Sequence, residues 1–166
     1  NKKKIVVYGI DNFDPYYSVL LKKKRIKQLN KFKNFNFRKI NICDLAKLKI
    51  LFKKNKFDKI FHFAAQAGVR YSLTNPKNYI DNNINGFFNI LECCREKTVK
   101  TIYYASSSSV YGDLDNYPAK ESFVGIQKNP YSLSKKFNED LAEVYSKLYN
   151  INLIGFRFFT VYGEWG

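Results

Sequence analysis

The chain has 166 residues, 45% hydrophobic and 17% aromatic, enough apolar material for one domain with a core and too much for a disordered tail. It carries 29 basic against 14 acidic residues, a net charge of +15, yet no apolar run reaches the roughly 18 residues a membrane span needs. Cys43, Cys93 and Cys94, two of them adjacent beside a single His, fit reduced cytoplasmic thiols, not a disulfide framework, and make no zinc or other metal site.

Lys2, Lys3 and Lys4 lead into an apolar run, and residues 4–10 (KIVVYGI) read as a strand. An amphipathic helix over 18–29, a strand over 37–42 and a helix over 45–54 follow. Residues 58–65 read as a buried strand, and Pro76 opens a long helix to about Lys97. Residues 100–107 form another strand, Pro130 opens a helix over 130–149, and 152–159 is the last strand. Strands alternating with helices of this length predict right-handed βαβ units, an α/β fold with a doubly wound parallel sheet. The Gly-, Asp-, Asn- and Pro-bearing loop 112–130 is long enough to be functional.

A basic chain invites a nucleic-acid reading. Here the cations are mostly Lys, spread along the whole sequence, whereas base and phosphate readout favours the Arg fork. Lys22, Lys23, Lys24 and Arg25, and then Lys53, Lys54 and Lys56, fall where solvated helix faces belong. No specific nucleic-acid partner is expected; an anionic substrate remains compatible with the charge.

In parallel sheets of this kind, ligands bind beyond the carboxyl ends of the strands. Asp11 stands at the first such end and Asp44 at the second; the third runs into small residues, AAQAGVR, and the fourth into Ser106–Ser109. Tyr131 begins the helix after the loop, with Lys135 one turn on and on the same face. A phenol titrates near 10, so making it a base at about pH 6.5 needs roughly 5 kcal/mol. One cation at about 5 Å supplies roughly 3 kcal/mol at an effective dielectric of 20, so a second positive group is required. Among 13 Tyr and 29 basic residues the Tyr-x-x-x-Lys spacing means little alone; its weight comes from the serines and strand-tip acids around it. His62, between Phe61 and Phe63, reads as a core histidine with no role.

The segments GIDNFDPYYS, FHFAAQAGVRYS, YIDNNINGFFNILECC, YASSSSVYG, PYSLSKKFNE and GFRFFTVYGEWG together resemble the extended short-chain dehydrogenase/reductase family. Within it they are most similar to NAD-dependent nucleotide-sugar epimerases and dehydratases of the UDP-glucuronate 4-epimerase kind. The resemblance implies a Rossmann-like fold, Tyr131 as general base, Lys135 as the group that lowers its pKa and holds the nicotinamide ribose, and Ser107 as the hydroxyl on the sugar O4. It implies Asp11 and Asn12 at the adenosine ribose of NAD, Asp44 and Leu45 at the adenine, and Ala64, Ala65 and Gln66 beside the pyrophosphate. On the substrate side it implies Asn82, Ser108, Ser109 and Thr160. The implied reaction is epimerisation at C4 of a UDP-sugar, UDP-glucuronate to UDP-galacturonate, through a transient 4-keto sugar. A homodimer of the full-length, cytoplasmic protein and a place in polysaccharide biosynthesis are implied with it. The alternatives are another nucleotide sugar, a dehydratase, or a non-catalytic basic binding module.

Two features depart from that pattern. The glycine-rich turn G-x-x-G-x-x-G is missing, and the first strand ends in an acid, the signature of the family's second strand. The expectation is a partial NAD-binding domain over 1–166, lacking the first βα unit and the substrate-binding region, and inactive by itself. Strands 4–10 and 58–65 would then either pair directly or leave an apolar slot between them.

Overall fold

The structure, a computed structural model, describes residues 5–113 and 118–165. Lys2, Lys3 and Lys4 and positions 114–117 of the predicted loop lie outside the described residues. In chain order the elements are β1 (Val7–Asp11), α1 (Val19–Leu29), β2 (Phe35–Lys39), α2 (Leu45–Lys54), β3 (Lys59–His62), α3 (Val69–Thr74) and α4 (Pro76–Tyr79). A π-helical turn (Ile80–Asn85) runs into α5 (Gly86–Glu96), followed by β4 (Thr101–Ala105), a 3₁₀ turn (Ser108–Tyr111), α6 (Pro130–Tyr149) and β5 (Asn152–Phe156).

Every strand pairing is parallel, as the βα alternation predicts. β1 pairs with β2 from Val7↔Phe35 to Asp11↔Lys39. β3, β4 and β5 form a separate sheet with β4 central. β1 and β3 do not pair, so the slot is the arrangement found. Its lower part is bridged by Tyr8 edge-on to Phe57, centroids 5.5 Å apart. Its carboxyl end is not apolar: Asp11, Asn12 and Gln66 line it.

One face of the larger sheet is covered. Ile102 and Tyr104 of β4 pack with Leu48 and Phe52 of α2, Phe87, Ile90, Leu91 and Cys94 of α5, and Ala142 and Tyr145 of α6. Each fully buried side chain of this size contributes about 1.5–3 kcal/mol. On the opposite face Phe61, Tyr103 and Phe156 stack across the three strands at 4.8 and 6.1 Å, with Phe61 and Phe156 exposed.

Side chains satisfy the helix starts that position the site. Asp44 accepts from the Lys47 N–H at the head of α2, and Asn129 from the Ser132 N–H, with Pro130 at the first turn of α6. Asn150 closes α6 in the left-handed region at φ 52°. The predicted helix from Pro76 to Lys97 is instead broken by the π turn, which inserts residues without ending the helix. Gly86 then presses on Ile42: an added Cβ would lie 2.5 Å from its Cδ1. Lys53, Lys54 and Lys56 are exposed, as expected of a solvated face.

Candidate functional site

Tyr131, Lys135 and Glu139 follow each other at one-turn intervals along α6, one face of the helix. Lys135 is 3% exposed, and its Nζ donates to the Ala105 carbonyl at 2.8 Å. Burial brings its pKa down to about 8, so the ammonium persists at pH 7 inside the protein. The charge also reaches His62: burial first, then Lys135, push that imidazole to about 3. His62 is therefore neutral, stacked on Phe87 at 5.3 Å, a core residue as expected.

β4 ends two residues before Ser107, which is buried with extended backbone. Its Oγ accepts the Ser109 N–H at 3.1 Å, capping the 3₁₀ turn. Ser108 donates its N–H to the Phe158 carbonyl at 2.9 Å. Both Ser108 and Ser109 are half-buried beside Ser107.

Tyr79 sits edge-on to Tyr131, ring centroids 6.0 Å apart. Its own hydroxyl is shared between the carbonyls of Ala67 and Gly68 at 2.8 and 2.6 Å, and burial pushes its pKa up to about 12. It is a neutral prop under Tyr131. Gly68 has φ 99°, and a Cβ there would meet the Tyr16 hydroxyl at 2.2 Å, so only glycine lets Tyr16 approach this turn.

A cavity of about 300 Å³ opens between the carboxyl ends of β1 and β3, lined by Asp11, Asn12, Ala64, Ala65, Gln66 and Asn82 among others. Ligand cavities run upward from roughly this size. Asp11 accepts the Phe13 N–H at 2.6 Å and has the Lys22 ammonium at 3.7 Å. Asn12 accepts the Asp14 N–H at 2.9 Å. Two strand-tip acids thus part ways. Asp44 lies off the cavity wall and is a helix cap, paired with Lys47 Nζ at 2.8 Å, a hydrogen bond that holds its carboxyl below the usual value. Leu45 packs on the core. Thr160 is exposed beyond β5.

Asn83, which sequence reading passed over for its neighbour, ties the two halves of the site. Fully buried, it accepts the Gln66 N–H at 2.7 Å and donates to the Gln66 carbonyl at 3.0 Å and to Ser134 Oγ of α6 at 2.9 Å. Asn82 faces the cavity and donates to the Asn78 carbonyl. The available signal was spacing: Asn83 lies four residues after buried Tyr79 and four before buried Phe87. Tyr16 and Tyr17, also on the cavity wall, were missed too. Among the described residues no group of His, Cys, Asp and Glu could hold a metal ion, and no helix is long and apolar enough to cross a membrane.

The model of the family described as GDP-mannose 4,6 dehydratase matches residues 1–165. Protein CapI of Staphylococcus aureus is 46% identical over 161 residues, covering 96% of this chain and 48% of CapI. UDP-glucuronate 4-epimerase 2 of Arabidopsis thaliana is 43% identical over 162 residues, 96% of this chain and 37% of that protein. The crystal structure of UDP-glucuronic acid 4-epimerase from Bacillus cereus, in complex with UDP-glucuronic acid and NAD, matches with a TM-score of 0.87 at 33% identity. That match covers 95% of this chain and 49% of the other. The chain spans about half the length, or less, of these relatives.

Proposed function

Because the chain belongs to the GDP-mannose 4,6 dehydratase family, we propose that it is the cofactor-binding portion of an NAD-dependent 4-epimerase of a UDP-sugar, with UDP-glucuronate as substrate. The observation that carries this reading is the buried Lys135 ammonium, fixed on Ala105 at 2.8 Å, one turn from Tyr131 and two residues along β4 from Ser107.

The residues present fit part of NAD. Asp11 and Asn12 would take the adenosine ribose, Ala64, Ala65 and Gln66 would offer a small-residue wall to the dinucleotide, and Lys135 would hold the nicotinamide ribose. Lys22 beside Asp11 offsets part of the repulsion that favours NAD over its 2′-phosphate. Asp44 and Leu45, at the head of α2, are the proposed adenine contacts. The described residues contain no glycine-rich helix start for the pyrophosphate, so that cradle, like most of the sugar pocket, falls to other parts of a full-length protein about twice this size.

When bound, NAD supplies the acceptor for the C4 hydride and returns it. Tyr131, as phenolate, takes the proton from the C4 hydroxyl, and Ser107 holds O4 while charge develops there. Lys135 would supply one of the two positive charges that a phenolate base requires, and the oxidised nicotinamide, when bound, would supply the other. The 4-keto sugar turns over before the proton comes back from Tyr131. Ser108 and Ser109 stand where a dehydratase needs an acid to expel the C6 hydroxyl, so the chemistry stops at epimerisation; their hydroxyls, with Asn82 and Thr160, are the proposed substrate contacts. We assign the protein to the cytoplasm, as its free thiols support, to polysaccharide biosynthesis, and to a homodimer without a specific nucleic-acid partner.

The test incubates the full-length protein with NAD and, side by side, UDP-glucuronate and UDP-glucose. UDP-galacturonate should form preferentially, and Tyr131→Phe should reduce its rate roughly 1,000-fold. Undiminished turnover by the Phe variant, or no epimer from either sugar, overturns the reading.

A further inference from the structure

Arg157, just past β5, makes a two-pronged ion pair with Glu139 of α6, Nε and Nη2 each 2.9 Å from a carboxylate oxygen. The side chains are 14% and 16% exposed, which places the pair inside the protein and makes it geometrically demanding. Each partner has a second task. Glu139 Oε1 accepts from Ser106 Oγ at 2.5 Å, and Arg157 Nη1 donates to the carbonyls of Glu121 and Phe123 at 3.0 and 2.8 Å. The guanidinium also lies over the Tyr111 ring at 4.8 Å.

The contacts form two rungs between α6 and the end of β4: Lys135 to Ala105, then Glu139 to Ser106 one turn later. Ser107 is the next residue. The spacing between the Tyr131 phenol and the Ser107 hydroxyl is therefore set by the second rung, and Arg157 clamps that rung while holding the 121–123 segment and Tyr111 in the same cluster. Building on the proposed function, we infer that Glu139 and Arg157 are positioning residues. Through Ser106 they fix the serine hydroxyl against the tyrosine base, and they touch no reacting atom themselves.

The test uses the full-length protein with NAD and UDP-glucuronate, in the variants Ser106→Ala, Glu139→Gln and the double variant. Ser106→Ala removes only the hydroxyl rung, leaves the ion pair intact and is small enough to fold. A misplacement of about 1 Å is enough to cost on the order of 100-fold in rate. We expect kcat to fall about tenfold in Ser106→Ala and further in Glu139→Gln, with KM and NAD affinity within about twofold of wild type. The double variant should be no slower than Glu139→Gln, since the neutral amide loosens the Arg157 clamp and with it the hold on the Ser106 rung. Amide exchange provides a readout independent of turnover. The Ser108 and Ser109 amides should exchange about tenfold faster in Ser106→Ala while Ile102 and Tyr104 of β4 keep their protection. Unchanged kcat with unchanged exchange at Ser108 and Ser109 overturns the positioning role alone. A wild-type protein that epimerises no UDP-sugar overturns the proposed function, and faster exchange in that protein would leave the rung itself standing.

Discussion

The Lys135 ammonium and the Ala105 carbonyl, 2.8 Å apart, join the helix that carries the tyrosine to the strand that runs into the serines. A buried cation is costly unless paired, and here its partner is a neutral dipole. The charge is thus held at the site without being cancelled by a carboxylate, the condition under which it can act on the neighbouring phenol.

Removing that charge should move the pH profile. At about 5 Å and an effective dielectric of 20 the ammonium is worth roughly 3 kcal/mol to a phenolate, or about 2 pH units. In the full-length protein, Lys135→Met should shift the acid limb of kcat upward by about that much and, from a limb near pH 6.5, slow turnover at pH 7 roughly 30-fold. Steady-state rates between pH 5.5 and 9.5 decide it; an unmoved limb contradicts the electrostatic role.

The same lysine links stability to alkaline pH. Its folded pKa of about 8 lies below the unfolded 10.5, so between these values the unfolded chain binds more protons. Its contribution therefore makes stability rise with pH from about 8 to 10.5, by about 3 kcal/mol in total. Subtracting urea-unfolding curves of Lys135→Met from wild type isolates this contribution: the variant's advantage should be largest below pH 8 and gone near pH 10.5.

His62 works at the acid end. Its folded pKa of about 3 against 6.5 unfolded leaves stability whole above pH 6.5 and erodes it as pH falls toward 3. His62→Leu keeps the packing against Phe87 and cannot take up the proton. Relative to wild type it should gain about 3 kcal/mol on going from pH 7 to pH 4. A difference in urea midpoints that ignores pH would show that His62 does not titrate in the way its burial demands.

Period and punctuation made most of the fold legible. The strand–helix alternation, the Pro130 start and the α6 span 130–149 are in the sequence because apolar spacing and caps are local properties. The strand ends were less so. β2 lies at Phe35–Lys39, and Ile40 and Ile42 beyond it continue the apolar run because they pack on the core outside the ladder. β3 ends at His62, since Ala64 and Ala65 face the cavity and not a neighbouring strand. In the candidate site, Tyr131 and Lys135 are legible as neighbours because one regular helix carries both, and Ser107 because it follows the end of a strand. Asn82 lines the cavity, whereas the buried network of its neighbour Asn83 was not legible, because a π turn there changes the helical count. Asp44 carries the same strand-tip signature as Asp11, and only three-dimensional placement shows it turned to Lys47. Glu139 and Arg157, 18 residues apart, meet through the fold alone.

Gly68 is a sensitive point of the cavity wall. With φ 99° and the Tyr16 hydroxyl 2.2 Å from where a Cβ would stand, Gly68→Ala must both strain the backbone and displace Tyr16. A cost of about 1–3 kcal/mol in stability is expected. Because Tyr16 lines the cavity, NAD affinity of the full-length protein should weaken as well, which titration calorimetry measures directly. Wild-type affinity in a folded Ala variant would detach Tyr16 from the binding wall.

The outer face of α6 carries its own symmetry, which supports the proposed homodimer. Leu133, Phe137, Val144 and Leu148 are all exposed, and the pairs 133/148 and 137/144 share one midpoint between Asp140 and Leu141. A two-fold axis through that midpoint, with the two helices antiparallel, sets Leu133 of one protomer against Leu148 of the other and Phe137 against Val144. It also brings Lys136 within a turn of the opposing Glu143. Such self-complementarity is what an isologous interface requires. A charge at the inner position breaks the pairing twice, once on each side of the axis. Phe137→Glu in the full-length protein should therefore convert a dimer to a monomer in sedimentation equilibrium at micromolar concentration, with the thermal midpoint of the isolated fold little changed because the side chain is already in water. A wild-type protein that sediments as a monomer, or a Glu variant that remains dimeric, removes α6 from the interface.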